Sequence, residues 1–180
     1  MAIITVEQIN LLEGYRDKTY VSAVLCEKSS SYFNFLKNIL NIPLIISSSV
    51  MTILNSSDIH SDSLKIVNIV INGSTAITLA IMNNLKFAER GSLFKANHLK
   101  FTKLLHSIED SLINDKNNIS TEKIREYISI YDTLYENLDY SFPDSIKNSV
   151  RTLYKGKKVL PNILNCESTV TSQVLFENHV

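Results

Sequence analysis

Turn-forming residues are scarce, with four glycines and three prolines in 180 residues. A many-stranded sheet needs a turn signal roughly every ten residues, so the shortage argues against an all-β fold and predicts long helices. Cysteine is scarce too. Cys26 and Cys166 stand far apart and match no metal or redox spacing, so they read as two free thiols in a reducing compartment rather than a disulfide. Net charge is absent, 18 basic residues balancing 18 acidic ones, which leaves no overall field to attract nucleic acid. The first twenty residues include Glu7, Glu13 and Asp17 and lack a continuous apolar core; no cleavable signal peptide is predicted, and any membrane insertion must use internal segments.

A hydrophobic content of 44% fits either a soluble globule or a small membrane protein of one domain. What separates the two is where charge is missing. Residues 38–57 (NILNIPLIISSSVMTILNSS) and residues 66–85 each run for twenty residues without a charge. Twenty helical residues span about 30 Å, the thickness of the hydrocarbon layer. The first window is interrupted by Asn41, Ser47, Ser48, Ser49 and Thr52, and Pro43 frees a backbone carbonyl, so it reads as a crossing that packs against a neighbour. The link Asn55 to Lys65, with Asp58, His60 and Asp62, has the length of an antiparallel hairpin turn.

The flanks fit this plan. Thr5 and Gln8 form a capping-box pair that starts a first helix with Ile9, Leu12, Tyr15 or Arg16, Thr19 and Ala23 on one face. That helix is predicted to end near Lys28, where Ser29, Ser30 and Ser31 offer caps for a new one. Tyr32, Phe33 and Phe35 suit a membrane interface, and Lys37 can snorkel beside them. Arg16, Lys18, Lys28 and Lys37 precede the first window; Lys86, Arg90, Lys95, Lys100 and Lys103 follow the second; the link holds Lys65 alone. Cations are retained on the cytoplasmic side, so both termini are expected there.

Every seventh residue from Ile66 gives Ile66, Gly73, Ala80, Phe87, Phe94, Phe101 and Ile108, a row that predicts one helix from Ile66 to Leu112, about 70 Å long. Gly73, Ala76 and Ala80 are small enough for close helix approach, and Asn68, Asn72, Thr75 and Thr78 can bond across the contact. The row is therefore read as a helix–helix assembly seam, comprising Ile66, Gly73, Ala76, Ala80, Phe87, Phe94, Phe101 and Ile108. Its aromatic half must be buried against the first helix or a second copy. Ser120 and Glu122 start a further helix carrying Ile124, Ile128, Tyr131, Tyr135 and Leu138, which Phe142 and Pro143 end. Asp144 to Tyr154 reads as a short amphipathic helix using Ile146, Val150 and Leu153. Arg151, Lys155, Lys157 and Lys158 form a dense basic cluster, either contacting lipid headgroups or closing a helix dipole. Val170 to Phe176 reads as a short strand or an arm.

No reaction chemistry is legible. His98 and His106 lie two turns apart without further ligands between them, so no metal site is predicted. Glu109 and Asp110 are adjacent and diverge on a helix. Ser47, Ser48 and Ser49 have no base at membrane depth, because both windows lack His, Lys, Asp and Glu. The same absence argues against a proton-coupled transporter; a pore lined by Ser, Thr and Asn would need an oligomer. No catalytic residue, metal or cofactor is predicted.

A two-crossing hairpin whose second crossing runs into a long charged helix resembles the SLATT superfamily of two-crossing membrane effectors. KFAERGSLFKANHLKFTKLLHSIEDSL (Lys86 to Leu112) and YDTLYENLDYSFPDSIKNSV (Tyr131 to Val150) are also similar to small membrane proteins of large DNA viruses. The bacterial resemblance implies an oligomeric pore fired by a sensor, although no sensor domain is expected from these residues. The viral one implies a membrane protein of the virion, such as its internal membrane, or of infected-cell membranes.

The expected fold is all-α, a membrane hairpin continuing into a cytoplasmic bundle. Its parts are an N-terminal cytoplasmic helix (residues 1–31), a hairpin (32–86), a cytoplasmic helical region (87–160) and a tail (161–180). The expected function is that of a non-enzymatic two-pass membrane protein that self-associates as a structural or scaffolding component. Its expected partners are the lipid bilayer, further copies of itself and a protein on the cytoplasmic bundle, with no nucleic acid. The rivals are a pore-forming effector and a soluble helical bundle with both windows in its core.

Overall fold

The computed structural model describes residues 6–56, 62–114, 119–154, 161 and 164, with the side chains of 62–64 left aside. The described residues form five helices and no strand: α1 (Val6–Ser56), α2 (Asp62–Leu85), α3 (Phe87–Asn114), α4 (Thr121–Glu136) and α5 (Asp144–Leu153). They belong to two compact units, a bundle unit of Met1–Ser29 with Phe94–Val180 and a hairpin unit of Ser30–Leu93. The all-helical class read from the scarcity of turns is therefore observed. Thr5, Asp58, His60, Lys155, Lys157, Lys158, Cys166 and the segment Val170 to Phe176 lie outside the described residues.

The expected break near Lys28 does not occur, because α1 continues for 51 residues through Pro43. The serines that looked like caps are used for packing instead. Ser29 and Ser30 are buried, and the Ser30 hydroxyl donates to the Gly91 carbonyl at 2.8 Å. Small side chains here admit a neighbouring backbone rather than stop a helix.

The long helix expected from Ile66 to Leu112 is interrupted at one residue. Lys86 separates α2 from α3 with φ of 50°. Its N–H bonds the Met82 carbonyl at 3.1 Å, and its own carbonyl accepts from Arg90 at 3.0 Å. This is a left-handed helix cap of the kind glycine usually makes. Occupying it with a side chain costs on the order of 1–2 kcal/mol.

In the bundle unit, α1 is buried on most sides between Thr19 and Cys26. Tyr131 of α4 packs edge to face on Tyr15 at 5.5 Å and lies 5.9 Å from Phe101 of α3, with its hydroxyl 3.3 Å from that of Ser22. Phe94, Phe101, Leu105 and Ile108 are buried within the chain itself, with Phe94 beside Phe142 and Phe101 beside Tyr131. Ser120 caps α4 as expected, its side chain accepting from the Lys123 N–H at 3.2 Å. Ile124 and Tyr131 are buried as read, and Tyr127, absent from the predicted face, is buried too and hydrogen-bonds Ser111 at 2.8 Å. In α5, Val150 is buried, but Leu153, in the last turn of the helix, is 64% exposed.

Candidate membrane-spanning hairpin

The hairpin unit is an antiparallel pair. Its register is set at one end by Ser30 with Gly91 and by the stacked rings of Phe33 and Phe87, 6.4 Å apart. At the other end the Asn68 amide donates to Asn55 at 3.4 Å. Between them the less exposed positions on α1 include Leu40, Leu44, Ser47, Met51 and Leu54, and on α2 they are Asn68, Ile71, Thr75, Thr78 and Met82. Both sets step by three and four, the heptad spacing of a helix pair. Where the middle of this seam is lined by Ser47 and Thr75, beside Pro43, a side groove of about 270 Å³ opens.

The outward faces are bare and apolar. Ile42, Ile45, Ile46 and Ile53 of α1 and Ile66, Ile69, Val70 and Ile77 of α2 are each more than half exposed. Both helices are long and apolar enough to cross a membrane, and of their most apolar eighteen-residue windows only 6% and 0% are buried. In a soluble bundle the same windows would be core. A contiguous apolar belt of this kind marks an interaction surface.

Four hydroxyls within the belt are satisfied by their own helices. Ser49 donates to the Ile45 carbonyl, Thr52 to Ser48, Ser74 to Val70 and Thr78 to Ser74, all at 2.8–2.9 Å. A hydroxyl returned to its own helix in this way places no unpaired donor in an apolar medium. Asn72 donates to Asn68 at 2.6 Å, completing an amide relay with Asn55. Of the four residues expected to bond across a contact, Asn68 alone is seen to do so among the described residues; the Thr78 bond stays within α2.

The residues of the predicted seam meet two fates. Ile66, Gly73, Ala76 and Ala80 are exposed on α2, and a Cβ built on Gly73 would meet nothing within 4 Å. Phe87 is half-buried on Phe33, while Phe94, Phe101 and Ile108 are covered by the chain's own bundle. A seven-residue spacing keeps side chains in line on a helix, but what covers each stretch is decided by the neighbouring helix. The close glycine is Gly91, whose Cβ would lie 3.1 Å from Asn34 Oδ1 and 3.6 Å from Phe33 Cβ. Sequence reasoning passed over it; the signal was present in the small residue Ser30, which the antiparallel register brings level with it.

The remaining candidates carry packing roles where they are described. Arg151 donates to the Leu164 carbonyl at 3.0 Å and to Asn148 at 3.4 Å. The His98 ring lies 3.1 Å from the Ala23 carbonyl. Cys26 is a free, buried thiol that burial pushes up to about 12. Burial likewise pushes the Tyr131 hydroxyl up to about 12. No group of three His, Cys, Asp or Glu able to hold a metal ion occurs among the described residues. Compared with family models, curated proteins and solved structures, the chain matches none.

Proposed function

We propose that this chain is a non-enzymatic, two-pass integral membrane protein whose hairpin crosses the bilayer and whose bundle unit presents a helical surface to the cytoplasm. The bare apolar belt on both helices carries this reading: water would penalise it at roughly 25 cal/mol per Å², whereas lipid would not. The distribution of Lys and Arg around Lys65 supports a cytoplasmic location for both ends of the hairpin. The open face of α2 at Gly73, Ala76 and Ala80 supports self-association, because it is turned outward and meets nothing in its own chain. The role proposed is structural or scaffolding, in a virion or infected-cell membrane where the viral resemblance applies.

Fractionation tests it. The full chain is expected to pellet with membranes, to resist alkaline extraction and to be released by detergent. Recovery in the high-speed supernatant without detergent would overturn the reading in favour of a soluble bundle. The hydroxyl-lined groove beside Pro43 favours one alternative, an oligomeric pore. Conductance by the purified protein in planar bilayers would support it, and silence at high protein density would remove it.

A further inference from the structure

We propose that a stripe on the outside of α3 docks on a stripe on the outside of α4 in the next copy of this chain, antiparallel and head to tail, an inference that rests on the membrane reading above. On α3 the stripe is Leu99, Lys103, His106, Asp110 and Ile113; on α4 it is Glu122, Arg125, Ser129, Asp132 and Glu136. All ten are exposed. An open groove of about 440 Å³ runs along the first stripe, lined by its residues from Leu99 to Asp110 together with Thr102 and Ser107. Read forwards on α3 and backwards on α4, both stripes step by four, three, four and three, so an antiparallel pair meets position for position. Laid that way, Lys103 meets Asp132, Asp110 meets Arg125, His106 meets Ser129 between them, and no step opposes like charges. Laid parallel, Lys103 would meet Arg125 and Asp110 would meet Asp132, two repulsions. Among the described residues none of these four charges has an ion pair within its own chain; Asp110 accepts from the Asn114 amide at 2.6 Å.

The chain's own packing supplies the orientation. Within one copy α4 returns antiparallel to α3, Ser111 bonding Tyr127 at 2.8 Å while Phe101 lies 5.9 Å from Tyr131. Averaged over these two contacts, the register sets Lys103 level with Asp132 and Asp110 level with Arg125. The stripes themselves point away from the buried seam of Phe101, Ile108, Tyr127 and Tyr131 that joins the two helices. A second copy moved sideways without being inverted therefore offers its α4 to the first copy's α3 in the level, antiparallel register that the charges favour. Copies inserted in one membrane share an orientation, so the contact is open to them. Each copy then keeps one stripe unmatched on either side, and a contact of this heterologous kind repeats into a ring or an open array, which suits a scaffold. Two α3 stripes, with Lys103 on Asp110, would match in charge as well, but only between copies whose α3 helices run in opposite directions, and the α4 stripe would be left bare.

The test uses the full chain, with Cys26→Ala and Cys166→Ser, in phosphatidylcholine liposomes, and places new cysteines at the uncharged centre of each stripe. Mild oxidation of a mixture of His106→Cys chains and Ser129→Cys chains is expected to link one copy of each. A chain carrying both substitutions should give a ladder of dimers, trimers and longer products. Exchanging the α3 charges, Lys103→Asp with Asp110→Lys, should lower this linkage several-fold, and exchanging the α4 charges, Arg125→Asp with Asp132→Arg, should do the same. A chain with both exchanges should recover it, which separates lost attraction from a damaged fold. Linkage that ignores either exchange would overturn the proposal. So would linkage of His106→Cys chains to one another that survives the α3 exchange, because an α3–α3 pair stays complementary when both its charges are exchanged. Chains that enter the liposomes and are not linked overturn this contact alone, whereas chains that stay outside overturn the membrane reading and this contact with it.

Discussion

Ser30 and Gly91 are joined side chain to backbone: the serine hydroxyl reaches the glycine carbonyl at 2.8 Å, which is possible because neither residue carries bulk between α1 and α3. Gly91→Leu is expected to destabilise the hairpin unit by about 1–3 kcal/mol through overpacking against Phe33 and Asn34. Gly91→Ala should be close to neutral, because the helix-propensity gain of about 1 kcal/mol offsets a small shift of the flexible Asn34 amide. Thermal unfolding in detergent followed by circular dichroism checks both.

Gly73 makes the opposite prediction. Its surroundings within the chain are empty, so Gly73→Leu is expected to leave the melting temperature of the monomer unchanged or slightly raised. If α2 pairs with a second copy there, the same change lowers the oligomer fraction seen by crosslinking in detergent. An unchanged oligomer would show that copies meet elsewhere.

In the bundle unit Phe101 is fully buried and Leu99, two residues earlier, is 59% exposed. Phe101→Ala is expected to cost about 3–5 kcal/mol, while Leu99→Ala should stay within about 0.5 kcal/mol. Denaturant unfolding of the two variants measures the difference. Near-equal values would mean that the aromatic half of the row is not core.

These contrasts show how far the residues alone lead. The helices α4 and α5, the Ser120 cap and the core positions Phe94, Phe101 and Tyr131 were legible because polar and apolar residues alternate with helical period between Phe87 and Tyr154. Inside the two uncharged windows that contrast vanishes. The seam through Leu40, Leu44, Ser47, Met51 and Leu54 cannot be told from the outward Ile42, Ile45, Ile46 and Ile53 when every face is apolar. The elbow at Lys86 was hidden for a different reason: it uses a left-handed lysine where the only available signal would have been glycine or asparagine. Ser29 and Ser30 carried two readings, cap or packing surface, and only a neighbouring backbone decides between them.

Alkaline pH should loosen the bundle unit. Burial raises the folded-state pKa of Cys26 from 9.0 to about 12 and of Tyr131 from 10.0 to about 12, so both prefer the protonated form in the fold. Their contribution is therefore complete below pH 9 and is lost progressively as pH rises from there through 12. The melting temperature is expected to fall across that window and to be flatter in Cys26→Ala. In a Cys166→Ser background, alkylation of Cys26 should be slow at pH 8 in the native protein and fast in denaturant. Rapid native alkylation would show that the thiol is open to solvent.

The sharpest division between lipid and water as the surroundings of the hairpin comes from a charge placed on an exposed isoleucine. Ile46 and Ile77 stand near the middle of their windows, at 58% and 64% exposure, and neither is in the α1–α2 seam. On a water-facing surface Ile77→Lys would be tolerated within about 0.5 kcal/mol and would improve solubility. In a bilayer the same lysine sits near the midplane and costs about 2.5–3.5 kcal/mol of insertion free energy, more than snorkelling over half the hydrocarbon thickness recovers. Ile77→Lys and Ile46→Lys are each expected to lower the membrane-integrated fraction in a translation–insertion assay, and the double variant should lower it further. Ile66→Lys, beside Lys65 at the end of α2, should have little effect because its ammonium reaches the interface. Equal tolerance at all three positions would identify the apolar belt as a surface that faces water and leave no role for a membrane.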